Sequence, residues 1–277
     1  MERSFATPRR TRLTIRVAAG EVRLRAADTT ETTVHLEALN RAGEAALPRA
    51  RVELIPHGDV DEVLVDVPDP RLSLGDGPEI DASIRCPQGT EVDVRTSSAD
   101  VRSAGRFAAV RSKTASGDVE VERTDGALSV HTASGNVVVG GGGASVEVRT
   151  ASGDADIDQV AGPLLVNLVS GDLRIGASES SVEANTVSGD QRLESAGAGP
   201  ISLHSVSGDL EVRVRPGLDV WIDAGSLSGD TVSELTPSEG PSNGEGAELL
   251  EVRMKSVSGE VRLARASELR GPPNGHP

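Results

Sequence analysis

Between residues 90 and 215 apolar and polar positions alternate in short bursts, and the bursts return on a fixed beat. The beat is marked by Gly117, Gly135, Gly153, Gly171, Gly189 and Gly208, which follow one another at 18, 18, 18, 18 and 19 residues. Apolar side chains recur seven and five places before each glycine and two and four places after it. The first of these columns reads Val92, Val110, Leu128, Val146, Leu164, Val182 and Ile201. Alternation of period two sends one set of side chains to one face of a strand and the rest to the other, so each repeat is predicted to be two short strands. The glycine stands between them, where a tight corner favours a residue free to take positive φ, followed by Asp or Asn able to bond backbone nearby. A second small residue lies about nine places on, at Ala108, Gly126, Ala144, Gly162, Ser180 and Gly199. The pattern therefore predicts an all-β, parallel β-solenoid (β-helix) of ~18-residue coils, about 9–12 coils long, with equivalent strands stacked about 4.8 Å apart. One coil alone buries too little to hold itself, so stacking must supply the rest.

Read in order, residues 1–12 form a basic stretch expected to be a flexible arm. Residues 13–265 are expected to make one solenoid domain. Its irregular, capping part is 13–80, where Leu13, Ile15 and Val17 precede Gly20 and strands follow at 33–39, 51–55 and 62–67. Turns at 40–43 and 75–78 divide them. Regular coils occupy 81–265, interrupted at Arg215-Pro216-Gly217 and by a polar loop at 233–247, with 249–263 as the last coil. Wider intervals of 21 and 30 residues lead to Gly229 and Gly259. Residues 266–277 are expected to be a disordered tail.

The run TASGDV, TASGN, TASGD, VSGD and SVSGE, with IRCPQGTEVDV ahead of it at 84–94, resembles a bacterial β-strand-repeat family. That family is catalogued as a domain of unknown function and often labelled an adhesin. The likeness spans about residues 13–263; it implies a β-solenoid and no established chemistry, and it assigns a role to no residue.

Composition narrows the function. With Phe5, Phe107 and Trp221 the only aromatics among 277 residues, the core must be aliphatic, and bases or sugar rings have no stacking platform. A formal charge of −15 repels phosphate backbones, so no nucleic-acid partner is expected. Cys86 is the only cysteine, which excludes an intrachain disulfide and leaves it a small core filler. No apolar run approaches a membrane span, so no membrane insertion is expected. The arginine-rich start has no apolar signal core, which points to a cytoplasmic protein.

In a solenoid a site is a column. The acidic corner after each glycine carries Asp100, Asp118, Asn136, Asp154, Asp172, Asp190, Asp209, Asp230 and Glu260. Each is expected to cap its own turn; Asp118, Asp154, Asp172, Asp190 and Asp209 are also the candidate calcium ligands, hard oxygens suiting that ion. Four places before the glycine runs a basic and amide stripe of Arg95, Lys113, His131, Arg149, Asn167, Asn185, His204 and Lys255, suited to a carboxylate-bearing protein partner. Against it, Glu147, Glu183 and Asp223 stand two residues away and neutralise it as on any solvated sheet. Asp154, Asp156 and Asp158 form the densest carboxylate cluster, but with no aromatic platform and scattered histidines no catalytic residue and no cofactor are expected. The sequence thus points to a non-enzymatic scaffold or protein-interaction module. The alternatives are end-to-end self-association in the manner of a cytoskeletal element and a calcium-binding adhesin.

Overall fold

Strands that alternate Val, Leu and Ile with polar residues need a neighbour on each edge for their backbone and a second sheet behind them for their apolar face. The computed structural model of the protein, which describes residues 1–68, 77–235 and 249–266, supplies both. Two mainly parallel sheets of thirteen strands (sheet I) and twelve strands (sheet II) share one hydrophobic cluster between them.

The chain opens with β1 (Glu2–Ala6), β2 (Arg10–Val17), β3 (Ala19–Ala27) and β4 (Glu31–Ala38). A short helix α1 (Arg41–Ala46) follows where a simple turn is read from the sequence. It forms because the Asn40 side chain accepts the Gly43 N–H at 2.7 Å, an N-cap. Then come β5 (Arg51–His57), β6 (Val60–Asp66) and β7 (Glu79–Pro87). The expected flexible arm at 1–12 is not one. β1 pairs antiparallel with β4, the Met1 amine donates to the Leu36 carbonyl at 2.7 Å, and the Arg9 backbone N–H donates to buried Asp61 at 3.2 Å. Charge density at this end reflects solvated outer faces of strands, not a lack of partners.

From β8 the beat takes over: β8 (Glu91–Thr96), β9 (Asp100–Phe107), β10 (Ala109–Lys113), β11 (Val119–Thr124), β12 (Ala127–Ser134), β13 (Val137–Gly142), β14 (Ser145–Ser152), β15 (Ala155–Val160), β16 (Leu164–Ser170), β17 (Leu173–Ser178), β18 (Val182–Ser188), β19 (Gln191–Ala196), β20 (Ile201–Ser207) and β21 (Leu210–Val214). Even-numbered strands join sheet II and odd-numbered strands sheet I. Like lies on like: Val110 pairs with Leu128, Leu128 with Val146, Val146 with Leu164 and Leu164 with Val182. The apolar columns seven and five places before the glycine are buried throughout β8–β20. Where a polar residue enters a core column it is buried too: Ser112 and Gln191 are 1% exposed.

The last strands are β22 (Asp219–Ser226), β23 (Thr231–Ser233), β24 (Leu249–Ser258) and β25 (Val261–Arg265). Here the spatial order departs from the chain order. Sheet I ends β21-β25-β23 and sheet II ends β20-β24-β22, so the coil at 249–265 lies inside the coil at 219–233. The expectation that 249–263 supplies the last coil is corrected. Leu250, Val252, Met254, Val261 and Leu263 need cover on both sides, whereas the poorly apolar β22 and β23 tolerate the outside, with Ile222 38% exposed. The connecting loop read at 233–247 lies outside the described residues from 236 on, as does the tail from 267.

The other end does the same. β2 pairs in parallel with both β6 and β8, and β3 with both β7 and β9, so the coil 10–27 is wedged between β6 and β7 on one side and β8 and β9 on the other. Beyond β6 and β7 the partners are antiparallel: β5 on β6, β4 on β7 and β1 on β4. The segment at 13–80 is thus part parallel stack and part antiparallel edge. Setting aside β1, β4 and β5 leaves eleven parallel strands in each sheet among the described residues.

Candidate functional site

At the corners the glycines stack on one another. A Cβ at Gly171 would lie 2.2 Å from the Gly153 carbonyl oxygen, and one at Gly208 would lie 2.1 Å from that of Gly189; both residues hold positive φ, +133° and +145°. Close approach between coils and left-handed backbone together demand glycine. The same column confirms the swapped order, since Gly259 abuts Gly208 and Gly229 abuts Gly259.

The acidic residue after each glycine does not cap its own turn. Its Oδ1 accepts the backbone N–H of the equivalent residue one coil on, from Asp118 to Asp100 at 3.0 Å, Asn136 to Asp118 at 2.8 Å, Asp154 to Asn136 at 3.0 Å and Asp172 to Asp154 at 2.9 Å. Asp190 to Asp172 at 2.9 Å, Asp209 to Asp190 at 2.8 Å and Glu260 to Asp209 at 2.7 Å continue the ladder. Each link ties two coils, and all but the neutral one at Asn136 are charge-assisted, which offsets the repulsion of stacked carboxylates. The calcium candidates Asp118, Asp154, Asp172, Asp190 and Asp209 therefore each commit one oxygen to backbone. Among the described residues no three His, Cys, Asp or Glu side chains converge on a metal-sized centre.

The basic and amide stripe is one straight row across sheet II. Arg95 pairs with Lys113, Lys113 with His131, His131 with Arg149, Arg149 with Asn167, Asn167 with Asn185, Asn185 with His204 and His204 with Lys255. The row has a member that the beat alone does not place: Arg16, opposite Arg95 because β2 is wedged beside β8. The clue in the sequence is that Arg16 stands four residues before Gly20. Much of the row is neutralised from two residues away, as the opposing reading expects. Asp93 meets Arg95 at 3.2 Å, Glu147 meets Arg149 at 2.6 Å and His131 at 3.7 Å, and Asp223 takes Lys255. Asn185 donates to Asn167 at 3.2 Å, and the His204 ring contacts the Ser202 hydroxyl at 3.0 Å. Arg16, Lys113 and neighbouring Arg111 form no ion pair among the described residues. Small Ala109 and Ala127 open a cleft of about 540 Å³ alongside, walled by Arg12, Asp93, Arg95 and Arg111. Glu91 closes its edge, its pKa lowered from the ordinary carboxylate value by hydrogen bonds from Arg12 and, less, Arg10.

On sheet I the carboxylate cluster is dispersed by a residue that sequence reasoning passes over. Arg174 bonds Asp156 at 2.7 Å, Asp158 at 3.4 Å and Glu194 at 3.0 Å, so the trio at 154–158 is not a free acid–base pair. The same sheet holds a cleft of about 590 Å³ floored by Gly140 and Gly141 and edged by Arg123, Gln159, Glu179 and Arg215. Its signal in the sequence is the run Gly140–Gly143, which strips side chains from one strand end. Arg215 crosses it to Glu179 in a bidentate pair that lowers the Glu179 pKa. Cys86 is fully buried, and burial pushes its thiol up to about 11, so it stays protonated and serves as core.

Two long parallel sheets built by stacking nearly identical coils, with glycine and aspartate ladders at their corners, define a repeat-built β rack. The chain belongs to the Toastrack DUF4097 family, whose model matches residues 10–264 and whose function is unknown. Among curated proteins none matches it. It is similar to the solved structure of a candidate adhesin from Bacteroides fragilis, with 13% identity over 95% of this chain and 96% of that one and a TM-score of 0.42. It is similar also to a candidate cell adhesion protein from Clostridium sporogenes, with 11% identity, 96% and 99% coverage and a TM-score of 0.25. A candidate lipid binding protein from Parabacteroides distasonis shows 11% identity, 94% and 96% coverage and a TM-score of 0.37.

Proposed function

We propose that the chain is a non-catalytic interaction platform, a stiff stack of ~18-residue coils whose sheet II face receives an extended, carboxylate-rich stretch of a partner protein. The observation that supports this is the unbroken register from Arg16 through Arg95, Lys113, His131 and Arg149, which lines up three arginines, a lysine and an imidazole on a chain of net charge −15. Arg16, Arg111 and Lys113 would meet carboxylates without first breaking an internal ion pair. Binding of a fluorescent, Glu-rich peptide tests it. Lys113→Glu with Arg16→Glu should weaken binding at least about tenfold, equivalent to about 1.4 kcal/mol, and salt should weaken it further. Reversal of Arg174 on sheet I should do neither. Equal binding by parent and double variant would sink the reading.

A second reading, self-association end to end, is favoured by the outermost coil. β22 and β23 have no strand partner on their outer side among the described residues, and Leu227 and Trp221 there are 83% and 46% exposed. The opposite end acts as a cap in this reading. Its edge strand β5 carries Arg51, Glu53 and Pro56, features that discourage a further strand. Light scattering against concentration separates the two: a self-assembling chain grows with concentration and a platform does not.

A further inference from the structure

The N-terminal end of sheet I carries an arrangement found nowhere else among the described residues. Arg25 of β3 and Arg85 of β7 stand directly opposite each other in register, both exposed. Like charges in that position oppose strand pairing. Wherever else two arginines face across strands here, at least one has a carboxylate: Arg174 and Arg192, Arg106 and Arg123, Arg16 and Arg95. Arg25 and Arg85 alone have none, either of them, among the described residues. Beside them Arg23 and Arg102 face each other, and these share Glu21, with Asp81 also on Arg23 at 3.2 Å. The carboxylates of this face are thereby spent at its far end.

The four arginines surround a depression of about 530 Å³ left open by small Ala104, Ser83 and Thr33, and among the described residues no acidic side chain lines it, on a chain with 43 acidic against 28 basic residues. Thr33 and Ser83 add hydroxyls at its floor; Thr33 already contacts Ser4 at 3.2 Å, and Ser83 receives Arg23 at 3.2 Å, so each is held in place. Two unpaired planar guanidiniums side by side, with hydroxyls between aliphatic stems, match a tetrahedral oxyanion, which accepts several N–H donors at once and removes the repulsion between them.

We propose that this depression binds a phosphate group, gripped by Arg25 and Arg85. The site is on the opposite sheet from the basic row and does not depend on it. The test uses the full chain, with inorganic phosphate and o-phosphoserine titrated against chloride at matched ionic strength. Arginine Nε–Hε resonances and thermal melting are the readouts. Arg25 and Arg85 resonances should shift saturably with phosphate and the melting temperature should rise. Arg85→Gln should melt no lower than the parent in chloride, because it relieves a like-charge pair, yet should lose the phosphate-dependent rise. Arg174→Gln should keep it. A response to inorganic phosphate alone would make the ligand a free anion; an equal response to o-phosphoserine would extend it to a phosphoryl group carried on a larger molecule. Equal shifts in phosphate and chloride, or a phosphate response retained in Arg85→Gln, would overturn the proposal.

Discussion

At a single corner two residues carry separable duties. Asp154 accepts the Asp172 N–H, and native Asn136 does the same for Asp154 without a charge. Asp154→Asn should therefore change stability by less than about 0.5 kcal/mol, while Asp154→Ala, which orphans the amide, should cost about 1–2 kcal/mol by urea denaturation. Gly171→Ala meets both a backbone oxygen and a positive φ and should cost at least about 2 kcal/mol. Gly225, with open space around it and no left-handed φ, should accept Ala at no loss. The Ser-Gly-Asp spacing showed that these residues mattered. It did not show that the aspartate reaches outward to the next coil, because in a parallel stack the nearest unpaired amide lies along the stacking axis and local sequence cannot see it.

For strands, the columns were legible because a fixed interval makes equivalent residues neighbours; Val110, Leu128, Val146 and Leu164 could be read off in the order they stack. The ends were not legible. There, which coil lies outermost is decided by how much apolar surface each must hide, a comparison across 30 residues between Ile222 and Ala224 on one side and Val252 and Met254 on the other. The only hint was the interval stretching from 18 to 21 and then 30. Arg16 is hidden for the same reason, its neighbour Arg95 being far away in sequence. Amide hydrogen exchange should expose this order: Val252 and Met254 in β24 should be protected far more than Ile222 and Ala224 in β22, although the latter come first in the chain. Equal protection would mean that the outer coil is not outermost.

Over the whole molecule, ion pairs lace the outer faces while aliphatic columns fill the inside. Glu91 is held down chiefly by the Arg12 hydrogen bond and Glu179 by Arg215. Burial raises the Glu211 pKa, but Arg192 and Arg213 together outweigh it and the net shift is downward. Carboxylates depressed in the folded state stabilise it above their unfolded pKa and release that contribution as pH falls through the lowered folded value. Urea midpoints should therefore hold near neutral pH and decline below about pH 4, with Glu211→Gln flattening part of the decline, since Glu211 is the least exposed of the three. The interleaving of coils at both ends also bears on how the chain is made. Residues 10–27 leave the ribosome before either of the coils that will flank them, and residues 249–265 must slip between two coils already synthesised. Assembly cannot proceed by simple winding in chain order; the winding at 219–233 has to stay open, or be displaced, until residues 249–265 arrive and lock in between it and the coil of β20 and β21.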